Sequence, residues 1–268
     1  MQSASIAVIG TGWLGLPLSS FLVTAGYPVH ATYRREEVRR AVLAAGVLPY
    51  LVNLPDRISL LDELLDPVAA VIITLPPGGR RLGPKAVPHY LAALAPLQPY
   101  LADRHVVFMS STGVYGKGAL GTIDEGAPLA PDTDSARAVA TAEAWLTTHA
   151  PQLTILRLAG LFGPGRDPAT FFGGGRTVPQ GDAPVNMVHR ADVLAAIDLV
   201  IRQRTLGTYN VSAATHPTKR RFYGNLARRS GAPVPIFTDG GTFGKRIDSS
   251  TLRSLGWAPR YDDLAQLP

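Results

Sequence analysis

The chain predicts an α/β fold, an open, doubly wound parallel sheet with a small C-terminal lobe, and three observations carry that prediction. Short apolar runs alternate with helical patterns along most of its 268 residues, the rhythm that yields strand-helix-strand units and parallel pairing. The first run, Ile6 to Ile9, breaks into Gly10-Thr11-Gly12-Trp13-Leu14-Gly15 and continues at helical spacing. Two Gly/Pro/Arg-rich stretches, Pro76 to Pro88 and Gly163 to Pro184, each follow a strand-like run, and open α/β sheets take ligands at the carboxyl ends of their strands.

The glycine spacing has a physical cause. Gly10 permits the tight turn out of the strand, Gly12 lets the backbone approach a pyrophosphate, and Gly15 lets the helix pack closely on the strand. The helix N-terminus then faces the phosphates. With a strand before it and a helix after it, this is a dinucleotide-binding Rossmann fingerprint, and Gly10, Gly12, Trp13, Leu14 and Gly15 are its expected cofactor contacts. A Gly-rich turn without a ligand is the competing reading. The helix spans 13–25, with Leu14, Leu18, Phe21 and Leu22 as its apolar stripe, Pro17 early enough to be tolerated and Gly26 as its C-cap.

The second strand, 28–33, leads into Thr32-Tyr33-Arg34-Arg35. An acidic residue there binds the ribose 2′-hydroxyl of NAD, whereas paired guanidinium groups suit a 2′-phosphate. NADP is the expected cofactor, with NAD as the alternative, and Tyr33, Arg34 and Arg35 are its expected contacts, one of the two arginines touching the phosphate. In the competing reading these arginines begin the solvated face of the next helix, beside Glu36, Glu37, Arg39 and Arg40.

Further strands are expected at 47–52, 69–75, 105–110, 153–159 and 208–212, and further helices at 36–45, 86–102, 135–149, 190–204 and 218–230. Leu75, Pro76, Ser110, Leu158, Ala159 and Gly160, at strand ends, join the expected cofactor contacts. Arg80 and Arg81 lie in the first Gly/Pro/Arg-rich stretch. In the second, Arg166 and Arg176 flank Phe171-Phe172-Gly173-Gly174-Gly175, which reads as a flap closing guanidinium and aromatic groups over a small anionic metabolite. Arg80, Arg81, Arg166, Phe171 and Arg176 are therefore the expected substrate contacts, a solvated loop being the alternative. Residues 1–160 plus 186–215 should form the cofactor-binding domain, and 161–185 plus 216–268 the substrate lobe.

Composition narrows the function classes. With 46% hydrophobic residues the chain is globular, and without cysteine it has neither disulfides nor thiolate chemistry. No signal peptide or membrane-length apolar run is evident, so the cytoplasm is expected. The net charge of +6 comes mainly from arginine and favours anionic ligands. Lys219-Arg220-Arg221 with Arg228-Arg229 reads as a solvated helix face rather than a nucleic-acid surface. No metal-ligand spacing and no Gly-x-Ser-x-Gly elbow occurs, which removes support for metal and hydrolase readings. The oligomeric state is left open.

The fifth strand empties hydroxyls into the expected crevice as Ser110-Ser111-Thr112-Gly113-Val114-Tyr115-Gly116. With Asp124-Glu125, Pro128, the run from Arg157 to Gly165, the run from Asn186 to Val193, Tyr209-Asn210-Val211, Gly244-Lys245-Arg246 and Leu255-Gly256-Trp257, it resembles the extended short-chain dehydrogenase/reductase superfamily, epimerase/dehydratase type. The resemblance covers nearly the whole chain in order. Gly10 to Gly15, Thr74 to Arg81, Arg157 to Arg166 and the ending look most like the atypical YeeZ-like subgroup. It implies NAD(P)-dependent chemistry on a nucleotide-sugar-like substrate, with Ser111 as the substrate-orienting hydroxyl.

One departure bears on activity. Typical members pair that serine with Tyr-x-x-x-Lys on a helix, the lysine lowering the tyrosine pKa for acid/base work, and none of the nine tyrosines here has a lysine four residues on. Aligning through Glu143 to Leu146 puts Ser135 at the tyrosine position and Val139 at the lysine position. Ser111 can still hydrogen-bond a developing oxyanion, Tyr115 offers a phenol, and Arg137 is a nearby cation. Their bland alternatives are a local backbone bond, a packed ring and a surface residue. His189 and Asp192 read as a loop-fixing and capping pair. Two functions remain: an NADP-dependent oxidoreductase or epimerase lacking the usual dyad, or a non-catalytic NADP(H)-binding sensor.

Overall fold

A computed structural model describes residues 4–172 and 176–267. Seven strands form one sheet: β1 (Ser5–Ile9), β2 (Val29–Tyr33), β3 (Leu48–Leu51), β4 (Val68–Ile73), β5 (His105–Ser111), β6 (Leu153–Leu158) and β7 (Gly207–Val211). Their order is β7-β6-β5-β4-β1-β2-β3, and β1 with β2, β1 with β4, β2 with β3, and β4 with β5 all pair parallel. The chain winds outward from β1 through β2 and β3, then from β4 the opposite way, so the order reverses between β1 and β4. This is the doubly wound Rossmann arrangement. The unbroken apolar runs follow from it, since a parallel strand covered on both faces needs apolar side chains on both. Ile6–Ile9, Val71–Ile73 and Val106–Phe108 are all buried.

The helices are α1 (Gly15–Thr24), α2 (Glu36–Ala44), α3 (Leu61–Leu65), α4 (Gly79–Leu82), α5 (Ala86–Leu94), α6 (Asp134–His149), α7 (Arg190–Gln203), α8 (Lys219–Ser230) and α9 (Ser250–Ser254). Leu14, Leu18 and Leu22 face the core as the stripe predicted, and Gly26 leaves α1 at φ +91°. Helix α5 is shorter than its pattern: it ends at Leu94 and continues as a 3-10 turn over Ala95–Tyr100, because Pro96 and Pro99 cannot donate an amide hydrogen bond. Helices α3 and α4 are too brief to show a period in sequence, and α4 arises inside the stretch expected to be a loop.

The contacts divide the chain into two compact units. The first comprises Met1–Val114, Pro131–Leu156 and Ile197–Thr208; the second comprises Tyr115–Ala130, Arg157–Ala196 and Tyr209–Pro268. Segments 115–130, 157–160, 186–196 and 209–215 thus group with the second unit, where Tyr115, Arg157 and Asn210 bond one another. That unit has its own core of Phe162, Val185, Met187, Ala213, Phe222, Leu264 and Leu267. Short parallel pairs brace it: Gly160–Phe162 with Met187–His189, Thr177–Val178 with Ile236–Phe237, and Thr122–Ile123 with Arg246–Ile247. Among the described residues no helix is long and apolar enough to cross a membrane.

Candidate functional site

A cleft of ≈ 580 Å³ opens in the first unit at the carboxyl ends of β1 to β4. Residues 9–12 line it after β1, 32–35 at the end of β2, 52–54 after β3 and 74–76 after β4, with Arg81, His89 and Tyr90 from the segment beyond. It therefore lies where the strand order reverses, the position at which doubly wound sheets take nucleotides.

The loop after β1 is fixed from both sides. Gly10 sits at φ +106°. Its N–H donates to Thr32 Oγ1 at 2.8 Å, and its carbonyl accepts from Thr74 Oγ1 at 2.6 Å. Thr11 Oγ1 donates to the Thr32 carbonyl at 2.6 Å. A Cβ on Gly15 would lie 1.8 Å from the Gly10 carbonyl oxygen, whereas a Cβ on Gly12 would meet nothing within 4 Å. Close packing behind and open space in front are what a pyrophosphate-binding turn requires. Deeper in the cleft, the buried Tyr90 donates its hydroxyl to the Leu75 carbonyl at 2.8 Å, and burial pushes its phenol well above the ordinary range.

At the rim, Tyr33, Arg34, Arg35, Leu75, Pro76 and Arg81 join Gly10 and Gly12 in lining the cleft. Arg35 pairs with Glu37 at 3.1 Å, both side chains largely exposed, a geometry that contributes little stability. Other expected contacts stand elsewhere. Leu14 is buried in the core, and Trp13 and Arg80 are not among the lining residues. Ser110 is buried and donates its hydroxyl to the buried Glu143 of α6, which commits it to packing. In the second unit, Leu158 and Ala159 are buried, Ala159 N donates to the Val211 carbonyl at 3.0 Å, and Gly160 N donates to the Asn186 carbonyl at 3.0 Å.

Of the expected catalytic groups, Ser111 is half-buried at the end of β5, where its Oγ accepts from Gly113 N at 3.1 Å. Tyr115 lies in the second unit. The ring is 1% exposed, and its hydroxyl donates to Asn210 Oδ1 at 2.8 Å and accepts from Arg157 Nη1 at 3.0 Å. Burial raises its pKa, opposed by the Arg157 guanidinium. Arg157 also donates to the Glu125 carbonyl at 3.1 Å, and Glu125 Oε1 accepts from Asn210 N at 2.7 Å. Tyr115 is thus the packed ring of a buried polar network. Arg137 likewise is a surface residue, paired with Asp134 at 2.7 Å one turn away.

On α6, Ser135 and Val139 are both closed in by packing. A Cβ on Gly79 would lie 2.3 Å from Ser135 N and 2.4 Å from Ser135 Oγ, so the backbone of α4 packs directly on the first turn of α6. Val139 is 3% exposed.

In the second unit Arg166, Phe171 and Arg176 are exposed, and Phe172 meets Tyr223 edge-on at 4.7 Å. Gly173, Gly174 and Gly175 of the expected flap lie outside the described residues. Asp192 is buried and accepts from Arg260 N at 2.7 Å and Tyr261 N at 3.0 Å. Burial raises the Asp192 pKa and lowers that of His189, whose ring lies against Tyr261 at 3.8 Å. On α8, Arg220 pairs with Asp239 and Asp182, and Lys219 Nζ donates to the Pro179 carbonyl. Those cations are engaged within the unit.

The sequence reading overlooked Thr32 and Thr74, which pin the glycine turn, and Asn53, His89 and Tyr90, which line the cleft. Thr32, Thr74 and Asn53 close or follow strands β2, β4 and β3, so their signal is the carboxyl-end position at which such sheets take ligands. His89 and Tyr90 lie within a helical pattern and carry no such signal.

A family model described as the NAD dependent epimerase/dehydratase family matches residues 6–212. Protein YeeZ of Escherichia coli strain K12 is 38% identical over 276 residues, covering 98% of this chain and 98% of that protein. Among solved structures, a functionally unknown conserved protein from Silicibacter pomeroyi DSS is 24% identical with a TM-score of 0.79, covering 98% of this chain and 96% of that one. UDP-glucuronic acid 4-epimerase from Bacillus cereus, in complex with NAD, is 16% identical with a TM-score of 0.78, covering 97% of this chain and 96% of that one. At these identities the two structures bear on the fold alone.

Proposed function

The chain belongs to the NAD dependent epimerase/dehydratase family, and from that premise we propose that it binds NADP(H) in the first unit's cleft and acts as an oxidoreductase or epimerase on a small anionic, nucleotide-sugar-like substrate. The observation that carries this reading is the open face at Gly12 between the crowded Gly10 and Gly15. Arg34 at the end of β2 supports NADP over NAD, because a guanidinium fork matches a 2′-phosphate. The net charge of +6 and Arg81 on the cleft support an anionic substrate.

A nicotinamide cofactor, when bound, supplies or takes up hydride. The chain's own part is to seat the pyrophosphate on the Gly10–Gly12 backbone, hold an anionic substrate group with Arg81, and offer the Ser111 hydroxyl to a substrate oxygen that gains charge. The proton that accompanies hydride transfer would be exchanged with a group of the substrate, since α6 carries neither tyrosine nor lysine. A second reading, a sensor that binds NADP(H) without turnover, is favoured by the packing of α4 on Ser135 and the burial of Val139.

NADPH oxidation scanned against carbonyl, imine and nucleotide-sugar panels separates the two. An enzyme turns over at least one class, and Ser111→Ala then lowers the rate by about 10²-fold or more through loss of an oxyanion donor, while Ser135→Ala stays close to wild type. A sensor binds NADPH and turns over none. A crippled Ser135→Ala beside an unaffected Ser111→Ala contradicts the proposed site.

A further inference from the structure

Beside the cleft lies a second hollow of ≈ 630 Å³, lined by Arg34, Arg35, Leu51, Asn53, Asp56 and Arg57. Arg34, Arg35 and Asn53 line both, so the hollow adjoins the end of the cleft away from Tyr90. Arg57 reaches it from the turn after β3. Asn53 N donates to the Arg57 carbonyl at 3.0 Å and Arg57 N to the Asn53 carbonyl at 2.8 Å, an antiparallel bridge that fixes where Arg57 leaves the backbone. Strand β3 pairs with β2 up to Leu51 opposite Tyr33, and the segments that follow these neighbouring strands bring Arg34 and Arg57 to the same hollow.

The hollow is lined by three arginines and by one acidic residue, Asp56. Glu37 engages Arg35. Among the described residues, the guanidinium groups of Arg34 and Arg57 have neither an ion pair nor a hydrogen-bond partner. Two arginines with uncommitted guanidinium groups, lining one hollow beside the cleft, suit a ligand group that offers several acceptor oxygens and about two negative charges, which is a phosphate monoester.

We propose that Arg57, together with Arg34, forms the 2′-phosphate subsite of an NADP-type dinucleotide, and that Arg57 determines cofactor specificity. This rests on the reading of the cleft as an NADP(H) site. Arg34 grips the phosphate from the β2 end and Arg57 from the β3 turn, while Asp56 opposes it. The sign of each substitution follows: loss of Arg57 weakens only ligands bearing the 2′-phosphate, and neutralising Asp56 strengthens them.

The test titrates full-length wild type, Arg57→Ala, Arg57→Lys, Arg34→Ala and Asp56→Asn with NADPH, NADH and 2′,5′-ADP at one fixed salt concentration. Arg57→Ala is expected to weaken NADPH and 2′,5′-ADP by about tenfold or more, the loss of a charge-assisted hydrogen bond, and to leave NADH unchanged. Arg57→Lys keeps the charge without the fork and falls between, and Asp56→Asn tightens NADPH. All these residues are at the surface or partly exposed, so thermal melts near wild type confirm folded variants. An Arg57→Ala protein that keeps the wild-type NADPH/NADH ratio, while Arg34→Ala loses it, overturns the role of Arg57 and leaves the cleft reading standing. Weaker NADH binding in Asp56→Asn, with NADPH unaffected by Arg57→Ala, assigns the hollow to a ribose hydroxyl and overturns the proposal. A wild type that does not prefer NADPH removes the underlying NADP reading, and the subsite with it.

Discussion

Gly12→Val is expected to leave the melting temperature near wild type while weakening NADPH binding on the order of 10²-fold or more, the loss of backbone approach to a doubly charged group. Gly15→Ala is expected to do the reverse in kind, unsettling the fold itself. The two glycines stand three positions apart in one turn, yet a Cβ at Gly12 meets nothing within 4 Å and a Cβ at Gly15 meets a backbone carbonyl oxygen at 1.8 Å. The backbone at Gly12 lies outside the positive-φ region that excludes side chains, so valine there fills only the space intended for the ligand. At Gly15 no rotamer relieves the overlap, and α1 must move off β1. Overpacking of this kind costs about 1–3 kcal/mol and occasionally more, equivalent to roughly 2–4 °C of melting temperature for each kcal/mol in a chain of this size. Differential scanning fluorimetry with and without NADPH reads both effects. A Gly12→Val protein that still binds NADPH normally would sink the assignment of the turn.

Rebuilding a Tyr-x-x-x-Lys pair with Ser135→Tyr and Val139→Lys is expected to destabilise the protein by about 3 kcal/mol or more and to confer no activity, since it buries an unpaired ammonium. Val139 is 3% exposed. A phenol at Ser135 would press on Gly79, whose backbone already lies against the Ser135 amide and hydroxyl. Urea unfolding of the single and double variants checks the cost. A double variant as stable as wild type that gains NADPH oxidation would show that the α6 face is available for chemistry after all.

What was legible in the sequence was local. The glycine spacing, the apolar runs of β1, β4 and β5 and the stripe Leu14, Leu18, Leu22 each encode their structure within a few residues, and the strand order follows from helices that connect parallel neighbours. The partners of Tyr115 were not legible, because Arg157 and Asn210 lie 42 and 95 residues further along the chain. Four residues of the segments that carry the family resemblance, Tyr115, Glu125, Arg157 and Asn210, satisfy one another's hydrogen bonds inside the second unit. Buried polar groups require such partners, and a motif read in one dimension cannot tell that need from chemistry. Helix α4 escaped notice for a similar reason: Gly78 and Gly83, at φ +70° and +56°, bracket four helical residues inside what looked like a loop. Arg57 had no sequence signal beyond its place after the third strand.

Isothermal titration of the wild-type protein with NADPH and with NADH, in the same buffer, examines the cleft of the first unit with the fewest intermediaries. The cleft geometry and Arg34 predict one NADPH per chain, bound about tenfold or more tighter than NADH. Equal affinities would contradict the NADP assignment, and the absence of binding heat with either nucleotide would contradict the site itself.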